Sequence, residues 1–107
     1  MKRTFIETTD FQTKVEDLNE SDLLQKIQVT LLKNFEAGVL IKGTGGLRKL
    51  RFGIKGRGKS GGIRIFYLDI PTKEKCYLLF IIEKTEAENI SHDEKIELKM
   101  LVLELKK

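Results

Sequence analysis

The chain has 107 residues, 40% hydrophobic and 34% charged, with a formal net charge of +4 at pH 7, which fits one globular domain spanning residues 1–107 and excludes a disordered chain. No apolar run reaches the roughly 20 residues of a membrane span, so a cytoplasmic protein that does not enter membranes is expected. The only cysteine, Cys76, excludes an internal disulfide and cannot build a metal site alone, and the only histidine, His92, excludes a histidine pair; no cofactor and no metal are expected.

Along the chain, Arg3 to Thr8 alternates Phe5 and Glu7 with Thr4, Ile6 and Thr8, which predicts a first strand. Thr9-Asp10-Phe11-Gln12 has capping-box spacing, and Phe11, Val15 and Leu18 recur at helical intervals. A second helix follows, with Ser21 or Asn19 as its cap. Its apolar face carries Leu24, Ile27, Leu31 and Phe35, widened by Leu32, and Gly38 stands where a C-terminal cap would be. Val39 to Ile41 is a short apolar lead into the turn cluster Gly43-Thr44-Gly45-Gly46.

From Leu47 to Ile54 the period of two puts Leu50, Phe52 and Ile54 on one face and Lys49, Arg51 and Gly53 on the other, predicting a strand with a core face and a cationic face. Lys55 to Gly62 reads as an exposed loop, Ile63 to Ile70 as a strand ended by Pro71, and Cys76 to Ile82 as a central strand buried on both faces. Cys76 itself is expected to be a core thiol. Ser91-His92-Asp93-Glu94 is a capping box opening a last helix, in which Ile96, Met100 and Leu103 are expected to form the core stripe and Leu98, Leu101, Val102 and Leu105 to broaden it. That breadth leaves room for contact with a partner. The fold class is therefore α+β. An antiparallel sheet of about four strands carries two N-terminal helices and one C-terminal helix, all on one side, and leaves the other side and the strand ends for a ligand.

The 20 Lys and Arg and 16 Asp and Glu are not mixed evenly. No acid occurs from Ala37 through Leu68, and Leu47 to Arg64 alone holds seven cations and five glycines. A focused basic patch attracts polyanions, and nucleic acid is the natural one. Gly53 to Ser60 satisfies the spacing of a phosphate-binding P-loop. That motif needs a helix after it, whereas Gly61-Gly62 leads into a β-branched run, so a hairpin loop is the better reading.

The run Gly43 to Arg51, then Gly56 to Tyr67, and Tyr77-Leu78-Leu79 leading to Glu83-Lys84-Thr85-Glu86 with Asn89-Ile90-Ser91 beyond, resembles HigB-type toxins of the RelE/ParE toxin-antitoxin superfamily over nearly the whole chain. The resemblance implies a RelE-like fold and a type II toxin, an mRNA endoribonuclease acting on translating ribosomes. It also implies a HigA-like helix-turn-helix antitoxin as partner, with DNA contacted only through the antitoxin complex. Relatives often have a small residue before the equivalent of Lys84 and Asn after it, where this chain has Glu83 and Thr85.

With no histidine pair or metal-ligand set in the sequence, cleavage would use the 2′-OH of the RNA itself, giving a 2′,3′-cyclic phosphate and a 5′-OH. Arg57 and Arg64 are the candidates to stabilise the pentacoordinate phosphate, and Lys49 or Lys84 to exchange the proton. Arg48, Arg51, Lys55 and Lys59 are candidates to grip the mRNA or rRNA backbone. Arg64 has the alternative of bridging an acid at the sheet edge, and Tyr67 and Tyr77 the choice between stacking on bases and filling the core. Two other readings are a DNA gyrase poison of the ParE type and a non-catalytic RNA-binding module.

Overall fold

The computed structural model describes residues 2–54, 62–83 and 90–107. In chain order these form β1 (Thr4–Glu7), α1 (Thr9–Leu18), α2 (Leu23–Lys33), β2 (Val39–Leu40), β3 (Arg48–Phe52), β4 (Ile63–Ile70), a 3₁₀ turn at Pro71–Lys73, β5 (Lys75–Glu83) and α3 (His92–Lys106). The architecture is α+β, as the sequence predicts. The described strands make a sheet of five, one more than expected, in the order β1-β5-β4-β3-β2. The extra strand is β2, whose two residues pair antiparallel with Lys49 and Arg48. β1 pairs parallel with β5 at one edge, and the remaining pairings are antiparallel.

The sheet carries helices on both sides rather than one. Phe11 from α1 and Leu23, Ile27 and Leu31 from α2 pack on the face presenting Leu50, Ile63, Ile65, Tyr67, Cys76, Leu78 and Ile81. On the other face Val102 of α3 joins Leu47, Phe66, Leu68, Ile70 and Leu79. A register shift between Phe66 and Tyr67 lets Phe66 pair with Phe80 and Tyr67 with Leu78, so Leu79 is the extra residue of a bulge in β5. It puts the consecutive residues Leu79 and Phe80 against the same α3-side cluster, and Phe80 stacks on Phe66 with ring centroids 4.4 Å apart.

Several local expectations shift by one residue. The cap of α1 is Thr8, whose hydroxyl accepts the Phe11 N–H at 3.1 Å, and Asn19 closes α1 in the left-handed conformation rather than opening α2. α2 starts after Asp22 with no side-chain cap, is closed by Asn34 after Lys33, and buries Leu23 in place of Leu24 while Leu32 stays exposed. Ser91 caps α3 in a full capping box with Glu94, and the hydrogen bond from the Ser91 N–H holds the Glu94 carboxyl below its usual range.

The stripe expected to bury α3 is turned outward. Ile96, Met100 and Leu103 are exposed, Met100 by 64%, while Val102 is fully buried with Leu98 and Leu105 beside it. α3 is apolar on nearly every face, so periodicity alone does not decide which side docks.

Tyr67 is a core residue, not a base-stacking one. Its hydroxyl donates to the Phe35 carbonyl at 2.8 Å and accepts the Gly38 N–H at 2.9 Å, tying the end of α2 and the start of β2 to the middle of the sheet. Gly38 is needed there as packing space rather than as a helix cap, because a Cβ would lie 2.8 Å from the Tyr67 ring. Cys76 is buried in the same cluster, and desolvation pushes its thiol up to about 12.

Two stability outcomes follow. Tyr67→Phe leaves a buried donor and a buried acceptor unpaired and is expected to cost about 1–3 kcal/mol by urea denaturation. Val102→Ala is expected to cost about 2 kcal/mol, whereas Met100→Ala on the outward stripe should change stability by less than about 0.5 kcal/mol; equal effects would contradict the observed orientation of α3.

Candidate functional site

The alternation of β3 sorts its side chains. Leu50 is in the core beneath α1 and α2, so Lys49 and Arg51 point to the α3 side. The β3–β4 register sets Lys49 opposite Phe66 and Arg51 opposite Arg64, and β5 sets Ile82 on the other flank of Arg64. Two parallel rows cross the sheet on this face, one of Val39, Lys49, Phe66 and Phe80, the next of Arg51, Arg64 and Ile82. They are about 6.7 Å apart, two residues along a strand.

Arg64 is the unusual member. It is only 8% exposed, and its one hydrogen bond among the described residues runs from Nη1 to the Ile63 carbonyl at 3.3 Å. Gly62 before it is also dictated by space, since a Cβ would fall 2.9 Å from the Phe52 carbonyl oxygen. Among the described residues no carboxylate forms an ion pair with Lys49, Arg51 or Arg64. The acid-bridging arginine is Arg3 instead. Its Nε meets Asp69 Oδ1 at 2.7 Å and its Nη2 meets Oδ2 at 3.1 Å, with the guanidinium 4.6 Å over the Phe35 ring.

The carboxylate at the end of β5 is held elsewhere. Glu83 pairs with Lys14 of α1 at 3.1 Å, on the opposite side of the sheet from Arg64. The alternation that gathers the cations thus sends this carboxylate away from them. Charged side chains are rarely buried unless paired, and like charges directly opposite each other on a sheet repel. A guanidinium that is almost enclosed, without an acid partner among the described residues, across from a second guanidinium, is an arrangement that an oxyanion would complete.

Arg48 is separate from this group. Opposite Tyr67 in the register, it faces the helix side, donates to the Gly38 carbonyl at 2.8 Å and lies 3.6 Å from the Glu36 carboxylate. It braces the start of β2 and is turned away from Lys49 and Arg51. Lys55, Arg57, Lys59 and Lys84 lie outside the described residues. The arrangement brings together Lys49, Arg51 and Arg64. Half-buried Lys95 of α3, which faces Lys49 across a cavity lined by both, is an addition that sequence reading missed; its only signal is a position one turn past the Ser91 cap.

Compared with models of known protein families, residues 2–107 match the one described as RelE toxin of the RelE / RelB toxin-antitoxin system. The match spans nearly the whole chain, which therefore belongs to the RelE toxin family. Toxins of this family are in general ribonucleases, and membership implies an antitoxin protein as partner. None of the helices described is long and apolar enough to cross a membrane.

The opposed arginines give a paired expectation. Arg51→Thr removes the repulsion across β3 and β4 and should raise the stability of the free protein by about 0.2–1 kcal/mol. The same variant should bind single-stranded RNA more weakly, with the slope of log K against log salt reduced by about 0.7. Loss of stability, or unchanged RNA affinity, would count against an anion site between Arg51 and Arg64.

Proposed function

We propose that this RelE-family chain is a HigB-type toxin that cleaves mRNA on translating ribosomes in the cytoplasm, without a metal ion, and is neutralised by a HigA-like antitoxin. The observation that carries the nuclease reading is the nearly buried Arg64, which has no acid partner among the described residues and stands directly opposite Arg51. Sites that stabilise a phosphorane need fixed positive donors aimed where charge develops, and Arg64, fixed by its strand and by enclosure, has that character.

In the reaction the 2′-oxygen attacks the adjacent phosphorus, its proton passes to a base, and the P–O5′ bond breaks as the leaving oxygen gains a proton. The products are a 2′,3′-cyclic phosphate and a 5′-OH, and atoms and charge balance without an outside reactant. Arg64 and Arg51 hold the non-bridging oxygens, whose negative charge grows in the transition state. Lys49, on the same face, exchanges the proton among the described residues, with Lys84 as the other candidate. Arg57 joins the phosphate clamp, and Lys55 and Lys59 bind backbone phosphates from the basic segment between β3 and β4. Arg48 contributes by fixing the β2 edge against β3. The HigB assignment and the HigA-like partner rest on the resemblance of the glycine-rich basic run and its flanks.

Inducible expression followed by primer extension on cellular mRNA tests the proposal. Translation-dependent cuts are expected, reduced by about 10²–10³ in rate in Arg64→Ala, with 5′-OH ends on the downstream fragments. Intact mRNA with DNA breaks would point to gyrase poisoning, and intact mRNA without a growth defect to simple RNA binding; either overturns the nuclease.

A further inference from the structure

On the α3 side of the sheet the first turns of α3 stand off from β2 and β3 and leave a cavity of about 250 Å³. Val39, Ile41, Phe66 and Ile90 supply apolar walls, and Lys49 and Lys95 bring two cations to it. That volume is below the roughly 300–1,000 Å³ of sites that enclose a whole small-molecule ligand, so the cavity suits one ring system with the rest of the molecule outside. Val39 is 69% exposed and Ile41 and Ile90 are half-buried, so the walls are open to a ligand entering from solvent.

We propose that this cavity takes the base of a nucleotide next to the scissile phosphate, and that it selects which RNA sequence is cut. The inference rests on the reading of the Arg51–Arg64 row as the phosphate site, and deepens it. Two features of the site favour a nucleotide. Lys49 belongs to both places, being a wall of the cavity and a neighbour of Arg51 on the same strand face, so a chain whose phosphate lies at the arginines passes directly over the cavity mouth. The chemistry is also matched: apolar walls accept the face of a planar ring while the two ammonium groups meet the phosphates on either side of it. Lys95 becomes a positioning residue on a helix that otherwise serves packing.

The probe is the four nucleoside 5′-monophosphates, with inorganic phosphate alone as control, titrated into the full chain and followed by amide NMR. Nucleotides should shift the amides of Val39, Ile41 and Ile90 and saturate at concentrations about tenfold or more below phosphate. The four bases should differ from one another. Ile41→Trp, which fills the cavity, should weaken nucleotide binding by at least about tenfold and leave phosphate binding unchanged, and Lys95→Gln should weaken it less. Equal affinities for phosphate and nucleotides, or shifts mapping elsewhere, would overturn the pocket. So would amides that move only on addition of the antitoxin, which would assign the cavity to a protein side chain.

Failures of the two readings separate cleanly. If the wild-type chain cuts mRNA and Ile41→Trp cuts the same sites at the same rate, the base pocket is wrong and the nuclease stands. If nucleotides occupy the cavity and the wild-type chain cuts no RNA, the nuclease is wrong and the pocket stands.

Discussion

The register between β3 and β4 is the constraint on which the rest depends. Setting Leu50 opposite Ile65 in the core requires Arg51 to stand opposite Arg64, because a strand that buries one face must present its intervening residues on the other. A slip by one residue would move the cations into the core and the apolar residues out. The burial of Leu50, Ile63, Ile65 and Ile54 on the helix side thus holds two like charges together on the α3 side. Their repulsion, about 0.2–1 kcal/mol for such a pair, is small beside the roughly 5–15 kcal/mol stability of a typical domain.

The helix side is built to resist that strain. Tyr67 joins α2, β2 and β4 through both hydrogen bonds of its hydroxyl, and Arg3 ties β1 to Asp69 of β4 while covering Phe35. Arg48 fastens β2 from the same side. The division is physical: the charged anchors named on one face are satisfied internally, whereas Lys49, Arg51 and Arg64 on the other have no acid partner among the described residues.

What the sequence made legible follows from how local the signal is. The Ser91 capping box and the alternation of β3 are written in consecutive residues, and both appear in the fold where they were expected. The outward turn of Ile96, Met100 and Leu103 was not legible, because Leu98, Val102 and Leu105 form an equally apolar stripe and only the sheet chooses between them. The parallel pairing of β1 with β5 joins residues about 70 positions apart, so no turn residue announces it. The same holds for the site. Lys49, Arg51 and Arg64 were visible as cations, yet nothing in the sequence says that Arg64 is enclosed or that Arg51 stands across from it. Arg48 shows the converse: adjacent to Lys49 in sequence, it is sent by the period of two to the other face, where carbonyl oxygens occupy it.

The placement of α3 completes the picture. Val102, Leu98 and Leu105 in its second half cover the Leu47–Leu68–Leu79 patch, while its first turns stand over the row of Lys49 and Phe66. Had α3 been seated so as to bury Ile96 and Met100, those side chains would have been carried to the sheet surface and the space between Lys49 and Lys95 closed. An acidic partner on α3 close to Arg64 would have satisfied the guanidinium internally and weakened the case for a phosphate there. The second half of the helix instead packs the end of the sheet where the side chains are aliphatic while its first turns stand off from Lys49, so that one element both seals the second core and bounds the open, cationic part of the same face.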